Sequence, residues 1–231
     1  MKLLALDTSS LACSVALQLD DTLIWRHEEQ AREHTRLLVP MIEDVLREGD
    51  VAPADLDAVV LGNGPGSFIG MRIATSVAQG LAHGVGIPIA PVSSMLAVAA
   101  AAMESEGSEA VAVCQDAHMD EVYLGLYAAG DRRLPRLLGA ERLHDQSVIS
   151  ELELEPGRFV AAGYGWQRYP RLMETNRPWL GAVSTVSHPA ARYLLPTGRA
   201  MAESGATVDP QDVVPAYLRQ TVAKPPRPGS P

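Results

Sequence analysis

Lysine is almost missing: Lys2 and Lys224 are the only two in 231 residues. With 19 basic against 28 acidic residues, the formal net charge is −9. Affinity for nucleic acid comes largely from neutralising phosphates with Lys and Arg, so this chain is a poor candidate for holding RNA alone. The short basic run around Arg132, Arg133 and Arg136 reads as a solvated hairpin edge. Cysteine is as scarce. Cys13 and Cys114 lie in apolar runs without CxxC spacing, which suits buried thiols and argues against a disulfide. The six histidines, His27, His34, His83, His118, His144 and His188, include no pair at i, i+4 and join no Cys–His cluster. A histidine-based metal site is therefore not expected. No apolar run is long enough to span a membrane, and the one at the start ends at Asp7, too short for a signal peptide. The expected location is cytoplasmic.

The apolar share is 47% and the aromatic share only 5%. A chain of this length suits one large domain or two small lobes, and its small apolar residues favour close packing of helices on sheets. Residues 3–6, 12–19 and 22–27 read as three strands joined by short polar turns, an antiparallel meander. Leu37, Leu38, Met41, Ile42, Val45 and Leu46 then recur at helical period. Pro40 is expected in that helix's first turn or at a kink, and Gly49 at its end. A strand at 57–61, a glycine-rich loop, a helix at 71–82 and a strand at 88–92 follow. Ser93 or Ser94 can cap a third helix running to about Met103.

Residues 104–109 are polar and mark the best boundary. The expected division is a first lobe at 1–103, a second at 104–223 and a disordered tail at 224–231. In the second lobe, 110–114, 122–128, 131–143 and 159–162 read as strands, and 145–153, 165–175 and 188–204 as helices. Strand hairpins start near 3 and again near 110. The order fits an α/β architecture of two duplicated lobes.

The loop Gly62-Asn63-Gly64-Pro65-Gly66-Ser67-Phe68-Ile69-Gly70 stands between a strand and a helix, where free N–H groups and the helix dipole favour anions. Yet it fails each nucleotide signature. No lysine followed by Ser or Thr ends it, neither glycine frame gives G-x-G-x-x-G, and Pro65 and Ile69 occupy the glycine positions of G-x-S-x-G around Ser67. Gly64, Pro65, Gly66, Ser67 and Gly70 suit equally well a tight structural turn passing close to another backbone. Asp7-Thr8-Ser9-Ser10 can be an ordinary Asx turn or a phosphate-binding turn. Asp116, His118, Asp120 and Glu121 crowd one hairpin, which turns favour on their own account.

The segments Leu4–Ser10, Ala12–Leu17, Glu33–Met41, Gly64–Ile73, Ala78–Ala82, Pro91–Met95, Asp116–Tyr123 and Pro215–Arg219 together resemble the TsaB (YeaZ) family of tRNA threonylcarbamoyladenosine synthesis. Residues 130–210 carry no diagnostic motif. The resemblance implies an actin-like ATPase (ribonuclease H-like) fold with two duplicated lobes and no catalytic activity of its own. It implies a partner subunit that dimerises with TsaD and, with TsaE, supports threonylcarbamoyl transfer to the adenosine beside the anticodon of ANN-decoding tRNAs. The tRNA is then held through the complex. TsaD carries H-x-x-x-H metal ligands where this chain has Ser94 and Val98, neither of which binds a metal well.

The family's interface helices fall on His34–Leu46 and Gly70–Leu81. The expected partner contacts are His34, Leu37, Leu38, Met41, Ile42, Val45, Met71, Ala74, Thr75, Ala78 and Leu81, on faces that can also form a homodimer without TsaD. The family usually has Thr at the position of Ile69 and commonly Arg at that of His118. The alternative is an actin-fold ATPase or small-molecule kinase using the Asp7 turn and the glycine loop, with ATP or ADP and magnesium held at Asp7, Thr8 and Ser9. The old glycoprotease label of this superfamily finds neither a metal triad nor a serine elbow.

Overall fold

In the computed structural model, residues 1–30, 33–131 and 134–219 are described. The expected tail at 224–231 and the basic pair Arg132 and Arg133 lie outside them. β1 (Lys2–Asp7), β2 (Ala12–Leu19) and β3 (Thr22–Glu29) form the antiparallel meander that their short turns require. α1 (His34–Glu48) leads to β4 (Ala58–Gly62), parallel to β1, and α2 (Phe68–Val85) leads to β5 (Ile89–Val92), parallel to β4. The strand order is β3-β2-β1-β4-β5.

After α3 (Ser94–Glu106) the plan repeats. β6 (Ala110–Asp116) and β7 (Val122–Ala129) are antiparallel, and β7 also pairs with β8 (Pro135–Leu137) and β9 (Arg142–His144). Past α4 (Ser150–Leu154), β10 (Val160–Ala162) lies parallel to β6. α5 (Tyr164–Arg168) and α6 (Pro170–Asn176) precede β11 (Ala182–Val183), parallel to β10. The second order, β8-β7-β6-β10-β11, repeats the first, with β9 added on β7 as a sixth strand. This is an α/β fold of the actin-like, ribonuclease H-like type with two duplicated lobes.

Alternation along the strands sorts the first lobe's two faces. Leu4, Leu6, Val15, Leu17, Val59 and Leu61 pack under α1 and α2. Leu3, Ala5, Ala16, Val60 and Ala90 point the other way, onto α3 and α7 (Leu195–Ser204). α3, Ser94-Met95-Leu96-Ala97-Val98-Ala99-Ala100-Ala101-Ala102, is apolar nearly all round because it is covered twice. Ala97 faces the first sheet while Met95, Val98, Ala99 and Ala102 face the second.

Several expectations change. Pro40 stands inside α1, beyond the first turn that was one of its two expected places. The strand expected at 131–143 is the two short strands β8 and β9. The helix at 165–175 is split, since Pro170 starts a new helix at a position where its missing N–H costs nothing. The helix at 188–204 begins only at Leu195, after a 3-10 turn at Ala191–Tyr193. The lobes are also not contiguous in sequence. The chain returns to the first sheet through α7, where Gly198 lies so close to Val60 that a Cβ would overlap it.

Candidate functional site

At the end of β1 the chain turns through Asp7, which is fully buried. Its Oδ1 accepts the Ser9 N–H at 2.8 Å and the Ser9 hydroxyl at 2.8 Å, and its Oδ2 accepts the Ser94 hydroxyl at 2.5 Å. Ser94 Oγ in turn accepts the Gly64 N–H at 3.0 Å, and the Ser94 N–H donates to the Gly64 carbonyl at 2.8 Å. The glycine loop is laced onto the same turn. The Ser67 N–H donates to the Ser9 carbonyl at 2.6 Å, and the buried Thr8 hydroxyl donates to the Gly70 carbonyl at 2.7 Å. Cβ atoms on Gly62, Gly66 or Gly70 would come closer than 3.0 Å to Asp7, Ser9 and Thr8 respectively. Gly66 and Gly70 are there because a second backbone passes against them, and Gly62 because the Asp7 side chain does.

This donor set does not fit a nucleotide phosphate. The hydroxyls of Thr8 and Ser9 and the Ser67 N–H are bonded within the protein, and the carboxylate that would orient a metal-bound water is enclosed by three donors. Among the described residues no group of three or more His, Cys, Asp or Glu could hold a metal. Val98 lies in the core between the sheets.

Burial pushes the Asp7 carboxyl above its ordinary range, against the opposing pull of Ser94 and Ser9. A raised carboxyl in the folded state gives stability that is greatest below the unfolded value near 3.8 and falls as pH climbs through the folded one. Asp7→Asn, which keeps an acceptor for Ser9, is therefore expected to cost less at pH 7 than at pH 4. Asp7→Ala strands the Ser9 and Ser94 donors and is expected to cost about 1–3 kcal/mol at pH 7. Urea titrations at the two pH values measure both.

The expected partner residues are placed elsewhere than supposed. Leu38, Met41, Ile42, Val45, Ala74 and Ala78 belong to the first lobe's own core, and His34, Met71 and Thr75 are also buried. Leu37 and Leu81 are partly buried against the same core. The helical stripe marks the side that covers the sheet. Outward, the two helices frame a groove of about 390 Å³ whose rim includes Val39, Phe68, Ile69, Arg72 and Ser76. Ile69 is 70% exposed, the most of any apolar residue in α2. Further along, Ser76, Gly80 and Gly84 follow at i, i+4, i+8, all exposed, with nothing near the place of a Cβ at either glycine. A stripe this low lets another helix come close.

The second lobe repeats the Asp7 turn at its own hairpin. Asp116 Oδ1 accepts the His118 N–H at 2.8 Å, as Asp7 does for Ser9, and also the Tyr169 hydroxyl at 2.7 Å. His118, Met119 and Asp120 all have positive φ (59, 55 and 65°), a left-handed turn costing on the order of 1–3 kcal/mol per residue. Arg219 clamps it. Its Nη2 donates to the carbonyls of Ala117 (2.9 Å) and His118 (3.3 Å) and pairs with Glu121 at 2.7 Å. The His118 side chain is left largely exposed. Between the lobes lies a cleft of about 740 Å³, walled by Ser9, Ser10 and Ile69 on one side and by Asp116, His118 and Arg168 on the other.

A family model described as TsaD, tRNA N6-adenosine threonylcarbamoyltransferase, matches residues 27–164. The tRNA threonylcarbamoyladenosine biosynthesis protein TsaB of Escherichia coli is 36% identical over 96% of this chain and 96% of its own length. The chain belongs to the TsaB (YeaZ) family. The TsaB of Bacillus subtilis is 27% identical over 97% of this chain and 96% of its own. The structure of YeaZ from Pseudomonas aeruginosa superposes with a TM-score of 0.86 at 37% identity, covering 94% of this chain and 99% of that one. Among the described residues no helix is long and apolar enough to cross a membrane.

Proposed function

We propose that this chain is a non-catalytic docking subunit in tRNA threonylcarbamoyladenosine synthesis, binding TsaD through the groove between α1 and α2. With TsaE, the pair would support threonylcarbamoyl transfer to the adenosine beside the anticodon, and the partner would hold most of the tRNA. The observation that carries the reading is the outward face of α2, where an apolar Ile69 at 70% exposure is followed by the low stripe Ser76, Gly80 and Gly84. A covered face explains both. The acidic balance of the chain agrees, because a net charge of −9 opposes tRNA binding by this subunit alone. Without TsaD, a second copy of the chain can take the same groove.

Reconstitution tests the role directly. Modification of tRNA by TsaD and TsaE with threonylcarbamoyl-adenylate is expected to depend on added chain, and undiminished modification without it contradicts the proposal. The enzyme alternative has its own test. Calorimetry with ATP and magnesium is expected to show no micromolar binding; binding that Asp7→Ala abolishes would favour an ATPase or kinase.

A further inference from the structure

The segment Val213–Arg219 crosses from one lobe to the other in seven residues, and it touches a special feature at each end. On the first lobe, Val213 is buried in the core beside α2, and Gln79 Nε2 donates to the Pro210 carbonyl at 2.8 Å. Asn63, in the glycine loop, donates from Nδ2 to the Val214 carbonyl at 3.0 Å and accepts the Ala216 N–H at 3.1 Å. The Tyr217 ring lies 5.4 Å from that of Phe68, the first residue of α2. Arg72 closes the group, its guanidinium 3.8 Å above the Phe68 ring and its Nε donating to the Tyr217 hydroxyl at 3.1 Å. On the second lobe, Leu218 packs against the core cluster that holds Tyr123 and Tyr127, and Arg219 clamps the left-handed turn.

We propose that Val213–Arg219 is a latch that couples the first turn of α2 to the strained hairpin 117–121 across the mouth of the cleft. Tyr217 and Arg219 are its positioning residues. Both anchored features wall the cleft, Ile69 and Gly70 from one side and His118 from the other. A left-handed run of three non-glycine residues persists only where its surroundings hold it, and Arg219, from a different part of the chain, bonds the first carbonyl of that run, that of His118, and the carbonyl of Ala117 just before it. The exposed end of α2 is held in the same way, by a ring and a hydroxyl that come from Tyr217. Whatever moves one anchor therefore works against the other through only a few residues of backbone. The latch acts within the isolated chain and does not depend on the docking reading.

Hydrogen–deuterium exchange on the full chain tests it, with Arg219→Ala and Tyr217→Ala compared with the unaltered protein. Arg219→Ala is expected to speed exchange about tenfold at 117–121 and also at the distant amides of 63–72, while α7 is unchanged. Tyr217→Ala is expected to do the reverse, reaching 117–121 from the other end. Tyr217→Phe, which keeps the ring but loses the hydroxyl to Arg72, should give a smaller version of the same pattern, and Arg219→Lys a partial rescue. Effects confined to the mutated end overturn the latch. So does a uniform rise that includes α7, which means simple loss of global stability. If Arg219→Ala does not fold, the Lys and Phe variants carry the comparison.

Discussion

Gly70→Ala is expected to destabilise the chain by about 3 kcal/mol or more, while Gly80→Ala, in the same helix, stabilises it by about 1 kcal/mol. Helix propensity favours alanine at both positions. At Gly70 a Cβ meets the Thr8 carbonyl oxygen at less than 3.0 Å, and that oxygen belongs to backbone fixed by β1 and by the Thr8–Gly70 hydrogen bond. Backbone cannot step aside as a flexible side chain can. At Gly80 a Cβ meets nothing within 4 Å, so only the entropy gain remains. Urea unfolding at 25 °C with unchanged slope gives both differences. The opposite signs separate glycines kept for the fold from a glycine whose smallness the isolated chain does not use.

The second large effect concerns α1. Leu38→Glu is expected to cost about 4 kcal/mol or more and to leave little folded protein at 37 °C, because Leu38 is only 1% exposed within the first lobe's core. Ala78→Arg is expected to behave alike, since Ala78 is fully buried against the same sheet. Loss of partner binding by either variant would thus report unfolding. Far-ultraviolet circular dichroism and a thermal melt show this: a cooperative transition like that of the unaltered protein would mean that these side chains do not carry the core. Ile69→Asp, on the exposed rim, is expected to shift stability by no more than about 0.5 kcal/mol.

How far the sequence led depends on how much each element states locally. β1 to β5 are legible because the strands are four to eight residues long and are separated by turns or by helices of clear period. The region 130–210 was not. β8 and β9 have three residues each and β11 has two, too few for any alternation to show. The return of α7 to the first sheet rests on Gly198 meeting Val60, a contact between distant parts of the chain that no local pattern records. At the site, the glycine loop suits either an anion or a close approach in sequence, and what approaches Gly62, Gly66 and Gly70 appears only in three dimensions. The periodic stripe of Leu38, Met41, Ile42 and Val45 marks the side of α1 buried in the first lobe's core, for a physical reason. Helical periodicity identifies the side that leaves water on folding, whereas the outward face of α2 carries only an isolated Ile69 and a run of small residues.

Titration of purified TsaD with the chain by calorimetry tests the central claim most directly, using Ile69→Asp and Gly80→Arg beside the unaltered protein. Both sites are exposed, so both variants should keep their thermal transitions. The account predicts affinity lowered at least about a hundredfold by each, as for a buried anchor and a closed helix approach. Undiminished affinity in two folded variants would contradict it.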